Sequence, residues 1–173
     1  MYHKGMVTEP VATRFVHFPP GYGEPANLGD ALPWSFVDER LRASRNYWLS
    51  TVAPSGRPHA RPVDGVWVEG ALCFGGSDKA LWVRNLTVNP AVSVQLPLDD
   101  DVVILEGTAQ FVTDPEHPLG AASTAASRAK YPQYFSDASP PFQPFWMLRP
   151  NTVYAWTLEG FPRGAARWTF NQT

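Results

Sequence analysis

Residues 47–74 read YWLSTVAPSGRPHARPVDGVWVEGALCF. Three runs rich in apolar, β-branched and aromatic residues are separated by turn chemistry, which predicts three successive antiparallel strands. The first covers 47–53. Pro54-Ser55-Gly56-Arg57-Pro58 turns the chain, 59–68 returns it, and Glu69-Gly70 leads tightly into a third strand over 71–74. Pro62 has no N–H for a ladder, so the second strand lies at an edge or carries a bulge at that point.

The pattern extends on both sides. Upstream, Pro33 opens a helix to about Ser44, with Phe36, Val37 and Leu41 at helical spacing. Residues 1–32 are rich in Pro and Gly and are expected to form an arm with little regular structure, leaving 33–173 as one domain. Downstream, Gly75-Gly76-Ser77-Asp78 is a turn into a short helix over about 79–88, which Asn89-Pro90 ends. Strands are expected over 91–96 and 102–112, joined by a solvated tip at Asp99-Asp100-Asp101. The internal Glu106-Gly107 suggests a bulge. A second helix over 116–130, a Pro-rich loop to Pro144 and strands over 153–158 and 166–170 complete the chain. Six or so strands with short helices between them predict a mainly β fold, a closed or split antiparallel barrel.

Bulk properties bound the function. The 173 residues, 44% apolar and 17% charged, describe one globular domain able to bury its own core. A net charge of -2 argues against a nucleic-acid partner. The single cysteine, Cys73, cannot form an internal disulfide, which points to a reducing cytoplasm. Apolar runs fall short of the ~20 residues of a spanning helix, and the N-terminus has no signal core, so no membrane is expected. His3, His17 and His117 lack ligand spacing, so no metal is assigned, and His59, with no acidic partner placed by the sequence, reads as a solvated or core histidine rather than a proton donor near a ring. Ser50 and Ser55 lack a nucleophile context, and no familiar nucleotide signature occurs.

One cluster carries chemistry. A phosphate needs cations and free N–H groups at one place, and a turn entering a helix supplies the N–H groups. Gly75, Gly76 and Ser77 form such a turn, Lys79 follows, Arg84 lies in the helix, and Arg61 lies on the preceding strand. An ordinary turn with a solvated lysine is the plain alternative.

The ordered set YWLSTVAPSGRPHARPV, VWVEGALCFGGS, RNLTVNPAVSV, LEGTA and RWTF resembles the pyridoxamine 5'-phosphate oxidase-like family, including its deazaflavin-dependent branch, over most of 34–170. The resemblance implies a six-stranded antiparallel split barrel that dimerises, with FMN, or alternatively coenzyme F420, at the dimer interface. It further implies that Arg61, Pro62 and Val63 contact the cofactor, largely through backbone. Gly76, Ser77, Lys79 and Arg84 would hold the phosphate, and Arg167 and Trp168 would approach from the other subunit. Trp82 and Trp168 are the aromatics expected near a flat ring or at the interface. The sequence departs from the pattern at one point: where many relatives carry a phosphate-binding Ser-x-Lys, it has Ala80, Leu81 and Trp82. Ser77-Asp78-Lys79 resembles that triplet but is displaced by three residues toward the N-terminus, which leaves three alternatives: a loop shift that lets Ser77 and Lys79 serve, replacement by Arg84 and Arg61, or weakened or lost phosphate binding. Three functions follow: a flavin-type oxidoreductase acting on a small organic substrate, a carrier of a flavin or haem without turnover, or an interaction module with no cofactor.

Overall fold

A computed structural model of the chain describes residues 10–13 and 31–170. Most of the expected arm, residues 1–9 and 14–30, lies outside the described residues. The elements are β1 (Ala12–Thr13), α1 (Trp34–Ala43), β2 (Asn46–Val52), β3 (Pro58–Val68), β4 (Ala71–Phe74), α2 (Leu81–Val88), β5 (Ala91–Gln95), β6 (Asp101–Val112), α3 (Gly120–Lys130), β7 (Phe145–Thr157) and β8 (Ala166–Thr169).

Strands β7, β4, β3, β2, β5 and β6 pair in that order, and β6 pairs back onto β7. Every pairing is antiparallel, so the six form a closed barrel, as the sequence leads one to expect; β8 and then β1 extend from β7 beyond the ring. Side-chain alternation explains the closure. Tyr47, Leu49 and Thr51 of β2, Val92 and Val94 of β5, and Val103 and Leu105 of β6 point inward and are buried. Helix α1 caps the end where β3 finishes, seating Val37 and Leu41 and accepting the Trp67 indole N–H on Asp38 Oδ1 at 2.8 Å. Helix α2 caps the opposite end with Trp82 and Leu86, and Asn85 Nδ2 donates to Thr51 Oγ1 at 3.0 Å.

The β3–β4 hairpin turns on two residues, Glu69 at φ 48° and Gly70 at φ 73°. Both are in the left-handed region that a tight primed turn demands, so Gly70 fits freely and Glu69 does so at some strain. The expected irregularity at Glu106-Gly107 is present as a register shift between β6 and β7, with Asn151 as the extra residue on β7. A Cβ at Gly107 would lie 2.9 Å from the Arg149 carbonyl oxygen, so the close approach of the strands requires glycine there.

Four sequence expectations are adjusted. β7 begins at Phe145, not 153. Pro144 and Pro150 make its first half read as loop, yet Pro150 stands beside the bulge, where a missing N–H is tolerated. α2 begins at Leu81, because Ser77 Oγ accepts the Lys79 N–H and holds 77–80 in a turn. α3 begins at Gly120, because Asp114 Oδ1 and His117 Nδ1 accept the N–H groups of Glu116 and Leu119 first. Asp101 belongs to β6 and pairs with Arg40 (Nε to Oδ2, 2.7 Å), leaving Asp99 and Asp100 at the tip.

The outer surface of the barrel divides in two. Helix α3 covers one half, burying Val66, Val68, Cys73, Phe145 and Met147 in a second cluster. The other half, over β2, β5 and β6, has no helix on it among the described residues, and Trp48 (39% exposed) and Val52 (40%) stand out from it. No described helix is long and apolar enough to cross a membrane.

Candidate functional site

β3 is two strands in one. Its second half, from Gly65 to Val68, pairs with β4, whereas 58–64 pair with β2 alone. Pro62 sits in the half that has no β4 partner, and a residue lacking an N–H is tolerated where one edge of the strand is unpaired. Arg61 and His59 stand opposite Leu49 and Thr51, on the face that α2 caps, and both reach solvent there. The His59 imidazole pKa is lowered by desolvation and by the neighbouring Arg61 and Arg57 guanidinium groups. Val63 is buried.

The chain leaves β4 through Gly75 and Gly76. A Cβ at Gly76 would lie 2.3 Å from Trp82 Cζ2, so glycine is needed for the turn to lie flat against that indole. Trp82 is 6% exposed and packs on Phe74 (centroids 5.6 Å) and Trp146 (6.4 Å). Position 82, where the sequence resemblance led one to look for a lysine, is thus filled by a ring packed in the barrel core. Ser77, Lys79 and Arg84 are exposed, and Lys79 and Arg84 form no ion pair among the described residues. No side chain caps the N-terminus of α2.

Gly76 thus packs against Trp82 at the approach to α2, with Ser77, Lys79 and Arg84 exposed around it, while Arg61 and Pro62 are exposed on β3 and Val63 is buried in the barrel core. Arg167 and Trp168 lie elsewhere in the same subunit, on β8. Trp168 is 1% exposed and packs edge-on to Trp34 (5.5 Å), and Arg167 Nε donates to Thr13 Oγ1 at 3.2 Å. The register links the two places. Pro62, Trp48, Gln95, Ile104, Tyr154 and Arg167 form one outward row across β3, β2, β5, β6, β7 and β8, so Pro62 and Arg167 stand at opposite ends of the bare half.

A cleft of about 240 Å³ opens on the other side of the glycine turn. Gly75 and Gly76 form one wall beside Asp64, Phe74 and Cys73; Ser123, Thr124, Ser127 and Tyr131 of α3 form a second; Tyr134, Phe135, Gln143, Pro144 and Phe145 form the third. Burial pushes the Cys73 thiol up to about 12, against a small opposing effect of Arg149. A polar clamp holds the α3 end of the cleft. Tyr131 OH accepts the Gly65 N–H at 3.0 Å and faces the Arg45 and Gly65 carbonyls, while Lys130 Nζ donates to Gly65 O (3.0 Å) and Tyr47 OH (3.2 Å). Burial and then Arg45 lower Lys130 to about 8, with Asp64 opposing. Sequence reasoning missed this cleft. Its one signal was the spacing of Ser123, Thr124, Ser127 and Tyr131, which places them on one helix face.

Among the described residues no three His, Cys, Asp or Glu gather as metal ligands would. Among curated proteins none matches the chain. Solved structures do. The conserved hypothetical protein Rv2991 from Mycobacterium tuberculosis superposes with a TM-score of 0.63 at 20% identity, over 76% of this chain and 90% of that one. A protein described as an F420 reductase gives 0.53 at 22%, over 67% and 94%. A haem-binding protein from Mycobacterium smegmatis gives 0.60 at 28%, over 80% of this chain and 59% of that longer one. The family model for pyridoxamine 5'-phosphate oxidase matches residues 35–157, from α1 to the end of β7, and the chain belongs to that family.

Proposed function

We propose that the protein is an oxidoreductase that uses a flavin-type cofactor, FMN or alternatively F420, to move a hydride to or from a small organic substrate. The observation that carries the reading is the adjacency of two features. The exposed cations and the uncapped start of α2 stand on one side of the Gly75-Gly76 turn, and the aromatic cleft stands on the other. The first suits the cofactor's anionic tail, and the second gives a small substrate a place beside the cofactor's ring. Family membership supports the reading, as does the likeness to a protein described as an F420 reductase.

The residues fit the group except at one position. Ser77, Lys79, Arg84 and Arg61 would hold the phosphate, with Gly76 allowing close approach. Arg61, Pro62 and Val63 would run beside the ring through their backbone. Trp82 supplies no charge there and acts from inside the barrel, by fixing the Gly76 turn. When bound, the cofactor supplies the hydride chemistry; this chain positions it, shapes the substrate cleft and excludes water. No side chain is required as a nucleophile.

The bare half of the barrel is the surface through which two copies would meet. A two-fold contact is self-complementary, so it lays the Arg167 end of one row against the Pro62 end of the other. Arg167, held by Thr13, then reaches the partner's cofactor, with Trp168 anchoring β8 from within.

The second reading is a carrier of a planar ligand without turnover. It is favoured by the haem-binding neighbour and by Trp82 standing in place of a lysine. Titration with FMN, F420 and haemin, followed by addition of a reduced nicotinamide donor, separates the two. A band that bleaches and turns over supports the enzyme, a band that never cycles supports the carrier, and no binding of any of the three overturns both. The triple variant R61A/K79A/R84A is expected to weaken cofactor binding by more than about tenfold, since charge-assisted bonds to phosphate are among the strong ones.

A further inference from the structure

We infer that the cleft beside the glycine turn takes an uncharged, flat aromatic substrate bearing hydroxyl or similar neutral polar groups, and not a phosphate ester. The inference rests on reading that cleft as the substrate's place.

The walls specify a ring. Phe74, Phe135 and Phe145 face the space, and Tyr131 and Tyr134 stack at its rim with centroids 6.0 Å apart and planes at 21°. The volume of about 240 Å³ lies below the ~300–1,000 Å³ of pockets for drug-sized ligands, so one ring or two fused rings fill it.

The polar groups specify neutrality. Tyr131 OH is committed to Gly65 and Arg45, and the Ser123 hydroxyl donates to the Gly120 carbonyl at 3.1 Å. The Thr124 and Ser127 hydroxyls and the Gln143 amide make no hydrogen bond among the described residues and are left for a ligand. All three are uncharged. No lysine or arginine is among the described lining residues. Lys130, one residue before Tyr131, spends its donors on Tyr47 and Gly65.

The formal charge in the lining is the Asp64 carboxylate, which repels a phosphate. It does not call for a cation either, because it accepts from Asn46 Nδ2 at 2.8 Å and lies within electrostatic reach of Lys130. The lining residues of α3 run from Ser123 toward the helix C-terminus at Tyr131, and the partial negative charge of that end also disfavours an anion. Burying a phosphate here with no cationic partner is costly, whereas a neutral hydroxyl finds partners ready.

The test is titration calorimetry with two matched pairs: pyridoxine against pyridoxine 5'-phosphate, and phenol against phenyl phosphate. The double variant T124A/S127A provides a second readout, since it removes the two neutral hydroxyls of the lining. The uncharged member of each pair should bind at least about tenfold more tightly, and should lose most of that affinity in T124A/S127A. Ser127→Arg, or Thr124→Lys if that variant fails to fold, should reverse the preference by supplying the missing cation. Tighter binding of the phosphate members by the unmodified protein overturns the inference, as does failure of every probe to bind at millimolar concentration. An intact preference in a protein that binds no cofactor would remove the proposed enzymatic function and leave the ligand class standing. Cofactor binding with the opposite preference would do the reverse.

Discussion

The two halves of the outer barrel surface belong to one closed sheet and end differently. β7 belongs to both: its first residues, Phe145 and Met147, lie under α3, and its last, Tyr154 and Trp156, face outward on the bare side. On the covered half, α3 and its small side chains approach closely, and the chain fills its own surface. On the bare half, Trp48 and Val52 remain partly exposed, and no described helix covers them. The fold thus covers one apolar face by itself and leaves the other exposed, the face proposed above for a second copy, while the candidate cleft lies at the edge of the covered half, lined by Asp64 at the end of the part of β3 that pairs with β2 alone. A single sheet can be finished by its own helix at one end and by symmetry at the other.

Placing a charge on each half is the strongest way to test this contrast. Met147→Glu puts a carboxylate beneath α3 with no partner and is expected to lower unfolding free energy by more than about 3 kcal/mol; denaturant melts measure it, and a shift under ~1 kcal/mol would mean that α3 does not cover that surface. Trp48→Glu carries the same chemistry on the bare half. Its effect on the fold should stay within about 0.5 kcal/mol per subunit, while light scattering is expected to give dimers for the unmodified protein, as proposed, and monomers for the variant. Dimers that persist would exclude this face as the contact.

The smallest effect concerns the seam between α3 and β3. Lys130 sits near 8 in the folded protein, below its ordinary 10.5, so the unfolded chain binds its proton more tightly. Between those values the unfolded state carries the extra proton, and stability contributed at this site rises with pH. Tyr47 and Tyr131 are shifted upward by burial, so their contribution falls once the ordinary tyrosine range near 10 is passed. The rise should therefore appear from about pH 8 to 10 and be absent in Lys130→Met. Melting temperatures across that window check it. A rise of equal size in the variant would assign the effect to another group.

Much of the barrel was legible because local rules and global fold agree. The β2–β3–β4 meander was written in alternation and turn residues, from the Pro54-to-Pro58 turn to Glu69-Gly70, and the bulge was legible in Gly107. The first half of β7 was hidden, because Pro144 and Pro150 mimic a loop and only the β6 register shows where an N–H is dispensable. Of the candidate site, the turn and the displaced Ser77-Asp78-Lys79 were readable as local patterns. The cleft was not, since Asp64, Ser123 and Gln143 are far apart in the chain and none has a distinctive local context.

By itself the sequence determined the class of fold, its strand alternation, the glycine turn and the absence of a lysine at position 82. Tertiary structure alone decided that Trp82 faces inward, that Pro62 and Arg167 end one row, and that hydroxyls from α3 meet rings from the 131–145 segment. The reason is that alternation and turn preference act between neighbours in the chain, whereas a cleft is defined by side chains whose proximity exists only after the barrel has closed.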